Sequence, residues 1–289
     1  MKWTSRPRVS CMVAYALFYA CAAREAAAQS RINIGPKAGA CSPAVVDEAI
    51  EATSLRRFAA QTSEDAPKVV KFMESNGHRL PPAIRPKVLQ AFEQAFDSAA
   101  LEEEFLRSIR SHCEPEIFAV ALEQLKTPLG TKMRGLEDFM LTPQGRSAFL
   151  GYAKNMQQHP PTPQRESLLD GLESVLHTAD FLADVNAEEV RAMYMGISGK
   201  SASDSEVQAL REKIMPSMSQ TVRANAVFTY RSASDEELAQ YVTMLGGAEM
   251  RRFNTILESA IENGMIRRSE VAAALIQQIV METRGTGRR

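Results

Sequence analysis

The sequence is poor in the residues that build metal sites and disulfide frameworks. It has four cysteines and four histidines in 289 residues. No Cys-x-x-Cys pair is present, and no two histidines stand at the i, i+4 spacing of a helical metal site. The Gly-x-Ser-x-Gly motif of a serine nucleophile is also missing. We therefore predict no catalytic residue, no metal ligand, no cofactor-binding residue and no cofactor.

The chain also lacks the alternating pattern of β-strands. Val and Ile are scattered, and no Asn-Gly or Asp-Gly turn lies between two alternating apolar runs. Apolar residues recur instead at helical spacing, for example at Met250, Phe253, Leu257 and Ile261. The sequence therefore predicts an all-α fold of about ten to twelve amphipathic helices.

The first 28 residues have the layout of a secretory signal peptide. Basic residues open the segment, an apolar run follows at 9–23, and small residues end it at Ala26–Ala28. That run is shorter than the roughly 20 residues of a membrane span. No later segment is long and apolar enough to cross a bilayer, so we expect no transmembrane segment in the mature chain.

The expected location is periplasmic or secreted, after cleavage behind Ala28. The alternative is a lipoprotein anchored at Cys21. Tyr19 argues against it, since a small residue is usual two positions before such a cysteine.

Charge excludes a general attraction to nucleic acid. The full chain has a formal charge of −1, and removal of residues 1–28 leaves 30 basic and 34 acidic residues. A chain that is nearly neutral or acidic has no overall positive electrostatic field to attract the phosphate backbones of nucleic acids. We therefore expect no nucleic-acid partner.

Cysteine use predicts one disulfide. Cys11 and Cys21 lie in the leader, which leaves Cys41 and Cys113. Two cysteines in an oxidising compartment can pair. The alternative is two unpaired thiols.

Short motifs suggest that the chain contains two related halves. Residues 70–73 and 130–134 resemble residues 190–193 and 247–251, in the same order and at an offset of about 120. The alternative is that helical arrays reuse similar patterns.

The predicted organisation is a signal peptide at 1–28, an N-terminal linker at 29–42, a first helical half at 43–140, a connecting helix and Pro-rich break at 141–164, a second helical half at 165–264, and a C-terminal helix with a basic tail at 265–289.

Helix starts are marked by capping residues. Ser203 with Glu206 and Ser234 with Glu237 form capping boxes, and Asn186 begins a similar pattern. A further four starts pair a good N-cap with proline at the first helical position; they are Ser42-Pro43, Thr127-Pro128, Thr142-Pro143 and Thr162-Pro163. Pro216, by contrast, falls inside a long helical segment and is expected to kink or split it.

Three of these segments carry a recurring helix-corner motif. Its residues are Thr127, Pro128 and Gly130, then Thr142, Pro143 and Gly145, and then Glu237, Leu238, Tyr241, Leu245 and Gly247. The last segment resembles the hallmark of an exported bacterial family, the domain of unknown function 2059. Met244 departs from it, because an aromatic residue is usual there, and the common Ser-Pro is missing in the second half. The resemblance implies an all-helical exported protein and supplies no activity.

The physical interpretation of this motif is structural. Thr127 caps, Pro128 starts the helix, and Gly130 lies in the first turn. A glycine there costs up to ~1 kcal/mol against alanine, so we expect close backbone packing at a helix corner, with a ligand-contacting glycine as the alternative.

Other candidate chemistry is weak. Gly196–Ser201 ends like a phosphate-binding loop but lacks the first glycine and a preceding strand, so we expect a linker between helices. His112, Cys113 and Glu114 are types of residue that bind metals, but adjacent residues point in different directions on a helix. We therefore expect no metal site there.

The leading hypothesis is an exported, non-catalytic protein that binds a protein, peptide or envelope component in a groove between the two halves. One alternative is a cell-wall glycan hydrolase that uses a lone glutamate, Glu74, in an open cleft with a raised pKa. Another is a structural helical homo-oligomer with an apolar stripe left uncovered on each monomer.

Overall fold

The computed structural model describes residues 41–75, 80–156 and 160–286. These residues form thirteen helices and no strand. The prediction of an all-α fold is therefore confirmed, with one helix more than the expected range. The predicted leader lies outside the described residues and stays a prediction.

The helices follow one another with short connections. They are α1 (Pro43–Ala52), α2 (Leu55–Asp65), α3 (Lys68–Ser75), α4 (Arg85–Ala95), α5 (Ser98–His112), α6 (Pro115–Lys126), α7 (Pro128–Met140), α8 (Pro143–Asn155), α9 (Pro163–Leu176), α10 (Thr178–Ser198), α11 (Asp204–Thr229), α12 (Asp235–Leu245) and α13 (Ala248–Thr286).

The capping signals start helices where the sequence places them. All four Xaa-Pro starts have the proline in the first turn and a side-chain oxygen that accepts a backbone N–H. Both capping boxes are complete: Ser203 with Glu206 opens α11, and Ser234 with Glu237 opens α12. Each box satisfies two backbone N–H groups that the helix leaves without partners.

One expected helix start is wrong. Asn186 does not begin a helix, because it lies inside α10, where its Nδ2 donates to the carbonyl of Leu182 at 2.7 Å. Pro216 does not split the segment that contains it, since α11 runs from Asp204 to Thr229 with the proline inside; the expected kink stays a prediction. In both places tertiary packing of a long helix outweighs the local signal.

The longest helix, α13, carries the main core. It packs against α10 and α5, and to a lesser extent against α4 and α6. Its stripe of Met250, Phe253, Leu257 and Ile261 is almost fully buried. The ring of Phe253 meets Phe118 of α6 edge-on at 4.9 Å between centroids, which joins the last helix to the N-terminal half of the chain.

No interruption of α13 marks the expected boundary between residues 264 and 265, because the helix is continuous there. Gly264 is required at that point by packing: a Cβ added to it would stand 2.6 Å from Cε1 of Phe105 on α5. The division into two halves stays a prediction, and α13 packs on helices from both of them.

The predicted disulfide joins Cys41 to Cys113, with Cα atoms 5.8 Å apart. Cys41 precedes α1, and Cys113 lies between α5 and α6. The bridge closes a sequence separation of 72 residues and ties the start of the described chain to the corner between α5 and α6.

Candidate functional site

The first two helix-corner motifs are sites of backbone contact. Thr127 and Thr142 accept hydrogen bonds from the N–H groups of Gly130 and Gly145, at 3.1 and 3.0 Å. A Cβ at Gly130 would lie 2.5 Å from the Gln124 carbonyl oxygen, and a Cβ at Gly145 would overlap the preceding helix still more severely. These glycines let consecutive helices approach, as a structural corner requires.

The third motif divides between surface and core. Glu237 completes the cap of α12 and also accepts from Lys132 Nζ at 2.6 Å, whereas Tyr241 is buried. Gly247 makes a milder approach, since its Cβ would stand 3.2 Å from the Met244 carbonyl oxygen.

Glu74 is paired rather than free. Arg85 donates to its two carboxylate oxygens at 2.8 and 3.2 Å, and Glu74 does not line either of the two cavities described below. An arginine partner favours the ionised carboxylate, whereas a general acid needs its proton. The geometry therefore gives the hydrolase hypothesis no support.

The segment resembling a phosphate-binding loop ends a helix. Gly199, at φ = 72°, follows α10 and donates its N–H to the carbonyl of Met195 at 2.8 Å, the usual helix-ending role of a left-handed glycine. Within the described residues no group of three His, Cys, Asp or Glu side chains could hold a metal ion.

Between the predicted halves the structure has a buried polar cluster instead of an open groove. Glu137 on α7 is 2% exposed. It accepts from the hydroxyl groups of Tyr230 and Tyr241 at 2.6 and 2.7 Å and pairs with Arg134. Burial raises the pKa of the Glu137 carboxyl, while Arg134 and the two hydroxyls oppose that rise.

The cavity beside this cluster holds about 30 Å³, which is room for only about one or two water molecules. Its walls come from both predicted halves, among them Thr53 and Leu257. Side chains from both predicted halves therefore enclose this cavity, and the ligand site expected between the halves stays a prediction.

A larger cavity lies elsewhere, wholly within the predicted second half. Its volume is about 210 Å³, and it is framed by α9, the start of α10, and α11. One wall presents Leu169, Leu172 and Leu176 from successive turns of α9, and the facing wall presents Val222 and Ala226 from α11. All five are at least nine-tenths buried, so these two walls are apolar, while Glu173 and Thr178 add polar groups to the lining.

The rim of this cavity is polar. Asp170 and Ser219 are exposed and line its edge. Arg223 also lines it, and its guanidinium pairs with Asp170 at 2.5 Å and with Glu166 at 3.0 Å. Two carboxylates against one guanidinium leave the rim with a small excess of negative charge.

A sharp turn sets the floor of the cavity. His177 joins α9 directly to α10 in the left-handed region, at φ = 46°, which is uncommon for a residue other than glycine. The turn brings Thr178 and Ala179 to the cavity. Ala179 donates its N–H to Glu173 at 2.8 Å, and burial raises the pKa of Glu173 although this bond and those from Thr178 oppose the rise.

Sequence reasoning missed this cavity. Leu169, Leu172 and Leu176 stand at helical spacing, and so do Ser219, Val222 and Ala226, yet such stripes normally meet and fill the space between them. The separation of α9 from α11 is a property of the tertiary structure and leaves no mark in either stripe.

The described helices include none that is long and apolar enough to cross a membrane. No family model, curated protein or solved structure matches the chain. The resemblance to the domain of unknown function 2059 therefore stays a prediction.

Proposed function

We propose that this protein is an exported, non-catalytic binding protein, and that the cavity between α9 and α11 receives an apolar side chain of a protein or peptide partner. The observation that carries this proposal is an apolar cavity of about 210 Å³ with a polar rim. The export part rests on the signal-peptide pattern of residues 1–28.

The size of the cavity favours a side chain over a larger ligand. Cavities for drug-sized molecules hold about 300–1,000 Å³, while an apolar cavity of about 150 Å³ accommodates benzene. A volume between these limits fits one Leu, Phe or Trp side chain. Partner side chains buried in such pockets commonly supply much of the binding energy of an interface.

The rim adds a preference for charge. Asp170 and Glu166 outnumber Arg223 there, so a basic residue next to the inserted side chain is favoured over an acidic one. A peptide with Leu or Trp beside Arg or Lys is the expected kind of partner segment.

The two alternative functions have less support. The Glu74 carboxylate is held by Arg85, as described above. The large exposed apolar residues of the described chain are spread over five helices, with no stripe of three on one of them; they are Val120, Phe139, Leu150, Tyr194, Met195 and Met281. A homo-oligomer built on one uncovered helix face is therefore not favoured.

Methyl NMR titration tests the proposal. We expect indole, N-acetyl-tryptophan amide and N-acetyl-leucine amide to shift the methyl signals of Leu169, Leu172 and Val222. Ser219→Trp places an indole at the exposed mouth of the cavity. It is expected to raise the dissociation constants obtained from these shifts at least tenfold. Gln220→Trp, on the adjacent exposed position, is the matched control and should bind as the wild type does.

Two results would contradict the proposal: no methyl shift with any of these compounds, or equal binding by the wild type and Ser219→Trp. The charge preference is tested with N-acetyl-Leu-Arg amide against N-acetyl-Leu-Glu amide, of which the first is expected to bind more tightly.

A further inference from the structure

A buried glutamate lies on α13, the helix that packs against α10. Glu258 on α13 is 6% exposed. Its oxygen Oε1 is enclosed and accepts no hydrogen bond from any residue in the described part of the chain. Most buried carboxylates are paired or hydrogen-bonded, so Glu258 requires an explanation.

The charged group that acts on Glu258 within the described chain is another carboxylate. Glu262, one turn further along α13, interacts with it electrostatically. Glu262 in turn interacts with Asp184 and Glu188 of α10, which places this face of α13 against α10. Glu262 itself reaches the surface, so Glu258 is the enclosed end of an acidic row.

The cations on this side are engaged by other acids. Arg211 of α11 binds Asp180 at 2.5 Å and also pairs with Asp184. Arg191 of α10 pairs with Glu188 at 3.3 Å and with Asp204 at 3.2 Å. They partly neutralise the outer carboxylates. Neither arginine forms an ion pair with Glu258.

The other helices packed on α13 bring no cation to Glu258. From α5, Glu104 lies beside Gly264. Of the arginines of α13 itself, Arg252 binds Glu114 before α6 at 2.5 Å, Arg267 binds Glu270 at 3.1 Å, and Arg268 donates to the carbonyl of Ala95 at the end of α4. Arg251 is exposed.

A further carboxyl lies on α10, where burial raises the pKa of Glu189 to about 7. Glu258 therefore has no ion pair with a cation among the described residues.

We propose that the packing of α10 on α13 is proton-linked: Glu258 keeps its carboxyl proton in the folded protein to a higher pH than an exposed glutamate does, and loss of that proton to solvent loosens this helix contact. A neutral carboxyl costs far less to bury than a carboxylate with no partner. Ionisation would add a fourth negative charge to a row that already holds Asp184, Glu188 and Glu262.

Burial, and then the charge of Glu262, raise the pKa of Glu258 well above its ordinary value of 4.5. A carboxyl whose pKa is raised on folding binds more protons folded than unfolded, so its contribution to stability declines as pH rises from the ordinary value through the folded one. The helix contact should accordingly be tightest below neutral pH and weaken at alkaline pH.

Hydrogen exchange of backbone amides tests this proposal. We expect protection of α10 and of residues 254–266 to fall at least tenfold between pH 6 and pH 9, after correction for the intrinsic pH dependence of exchange. Helices α1 and α6 should change much less. Glu189 on α10 also titrates near pH 7, so the comparison is made in a Glu189→Gln background. In that background Glu258→Gln keeps the shape and removes the titration of residue 258, so it should abolish the fall, whereas Glu270→Gln at an exposed position of α13 should retain it.

In the Glu189→Gln background, an equal fall with Glu258 and with Glu258→Gln would overturn the proposal, as would the absence of any fall while Glu258 is present. A direct measurement covers the case in which Glu258→Gln does not fold: ¹³C NMR titration of the side-chain carboxyl of Glu258 in the wild type, assigned through bonds. A carboxyl still protonated at pH 7 supports the proposal, and a titration midpoint below pH 5 overturns it.

Discussion

Tyr230 and Tyr241 donate hydrogen bonds to the same carboxylate oxygen of Glu137, at 2.6 and 2.7 Å, although they lie 93 and 104 residues away from it in sequence. The two rings lie 6.0 Å apart between centroids. This shared acceptor fixes α7 against the end of α11 and against α12. Glu137 belongs to the predicted first half and both tyrosines to the second, so the cluster lies between the two predicted halves.

The two hydroxyl groups should be energetically coupled. Tyr230→Phe and Tyr241→Phe are each expected to lower the free energy of unfolding by about 2 kcal/mol, the range for a buried hydrogen bond to a charged group. Because both bonds end on one oxygen of Glu137, the double variant should differ from the sum of the single ones. Urea unfolding measures all three, with the exposed Tyr194→Phe as control. Additive losses, or losses no larger than the control, would refute the coupling.

Replacing the two glycines of α8 by alanine should change the stability of the protein in opposite directions. A Cβ at Gly145 would collide with the carbonyl of Phe139, while a Cβ at Gly151 meets no atom within 4 Å. Gly145→Ala is therefore expected to destabilise by about 2 kcal/mol or more, since backbone must move. Gly151→Ala should stabilise by up to about 1 kcal/mol through helix propensity. Thermal unfolding of both variants checks the pair, and similar melting temperatures would count against the close corner.

The disulfide should contribute strongly to stability. Cys41 and Cys113 close a separation of 72 residues, for which the chain-entropy model gives about 4 kcal/mol. The Cys41→Ser/Cys113→Ser double variant should lose that amount in urea unfolding. Wild-type protein treated with a reducing agent should show a similar loss. Intact mass spectrometry checks that the oxidised protein is two hydrogens lighter than the reduced one; a reducible bridge with no effect on unfolding would contradict the prediction.

Glu189 should make stability depend on pH close to neutrality. Burial raises the pKa of this α10 carboxyl to about 7, from an ordinary value of 4.5. The folded state therefore holds the proton of Glu189 more tightly than the unfolded state does. The stability that this proton contributes is lost as pH rises from about 4.5 through about 7. Glu189→Gln should flatten that part of the curve of unfolding free energy against pH. Glu93→Gln, an exposed position on α4, should leave the curve unchanged, and equal curves for Glu189→Gln and wild type would refute the assignment.

Local signals predicted the helices well where the cause is local. The side chain of Ser234 accepts from the N–H of Glu237, and that bond needs only residues three apart in sequence. The same holds for Thr127 with the N–H of Gly130 and for Thr142 with the N–H of Gly145. Asn186 carried a similar local signal and failed, because packing of α10 continues the helix through it.

The candidate site followed from no local signal. The sequence showed an apolar stripe in α9 without showing that α11 would leave a gap opposite it. Glu258 likewise reads as one more charge on an amphipathic helix, and only the contact with α10 encloses it.

The sequence by itself determined the helical class, most helix starts and the one available pairing of cysteines outside the predicted leader, because these depend on periodicity, capping chemistry and composition. Only the tertiary structure decided that Glu137 would meet two tyrosines, that a cavity would open between α9 and α11, and that Glu258 would be enclosed. Each of these depends on the distance between helices far apart in sequence, and helix packing sets that distance through the shapes of many side chains at once.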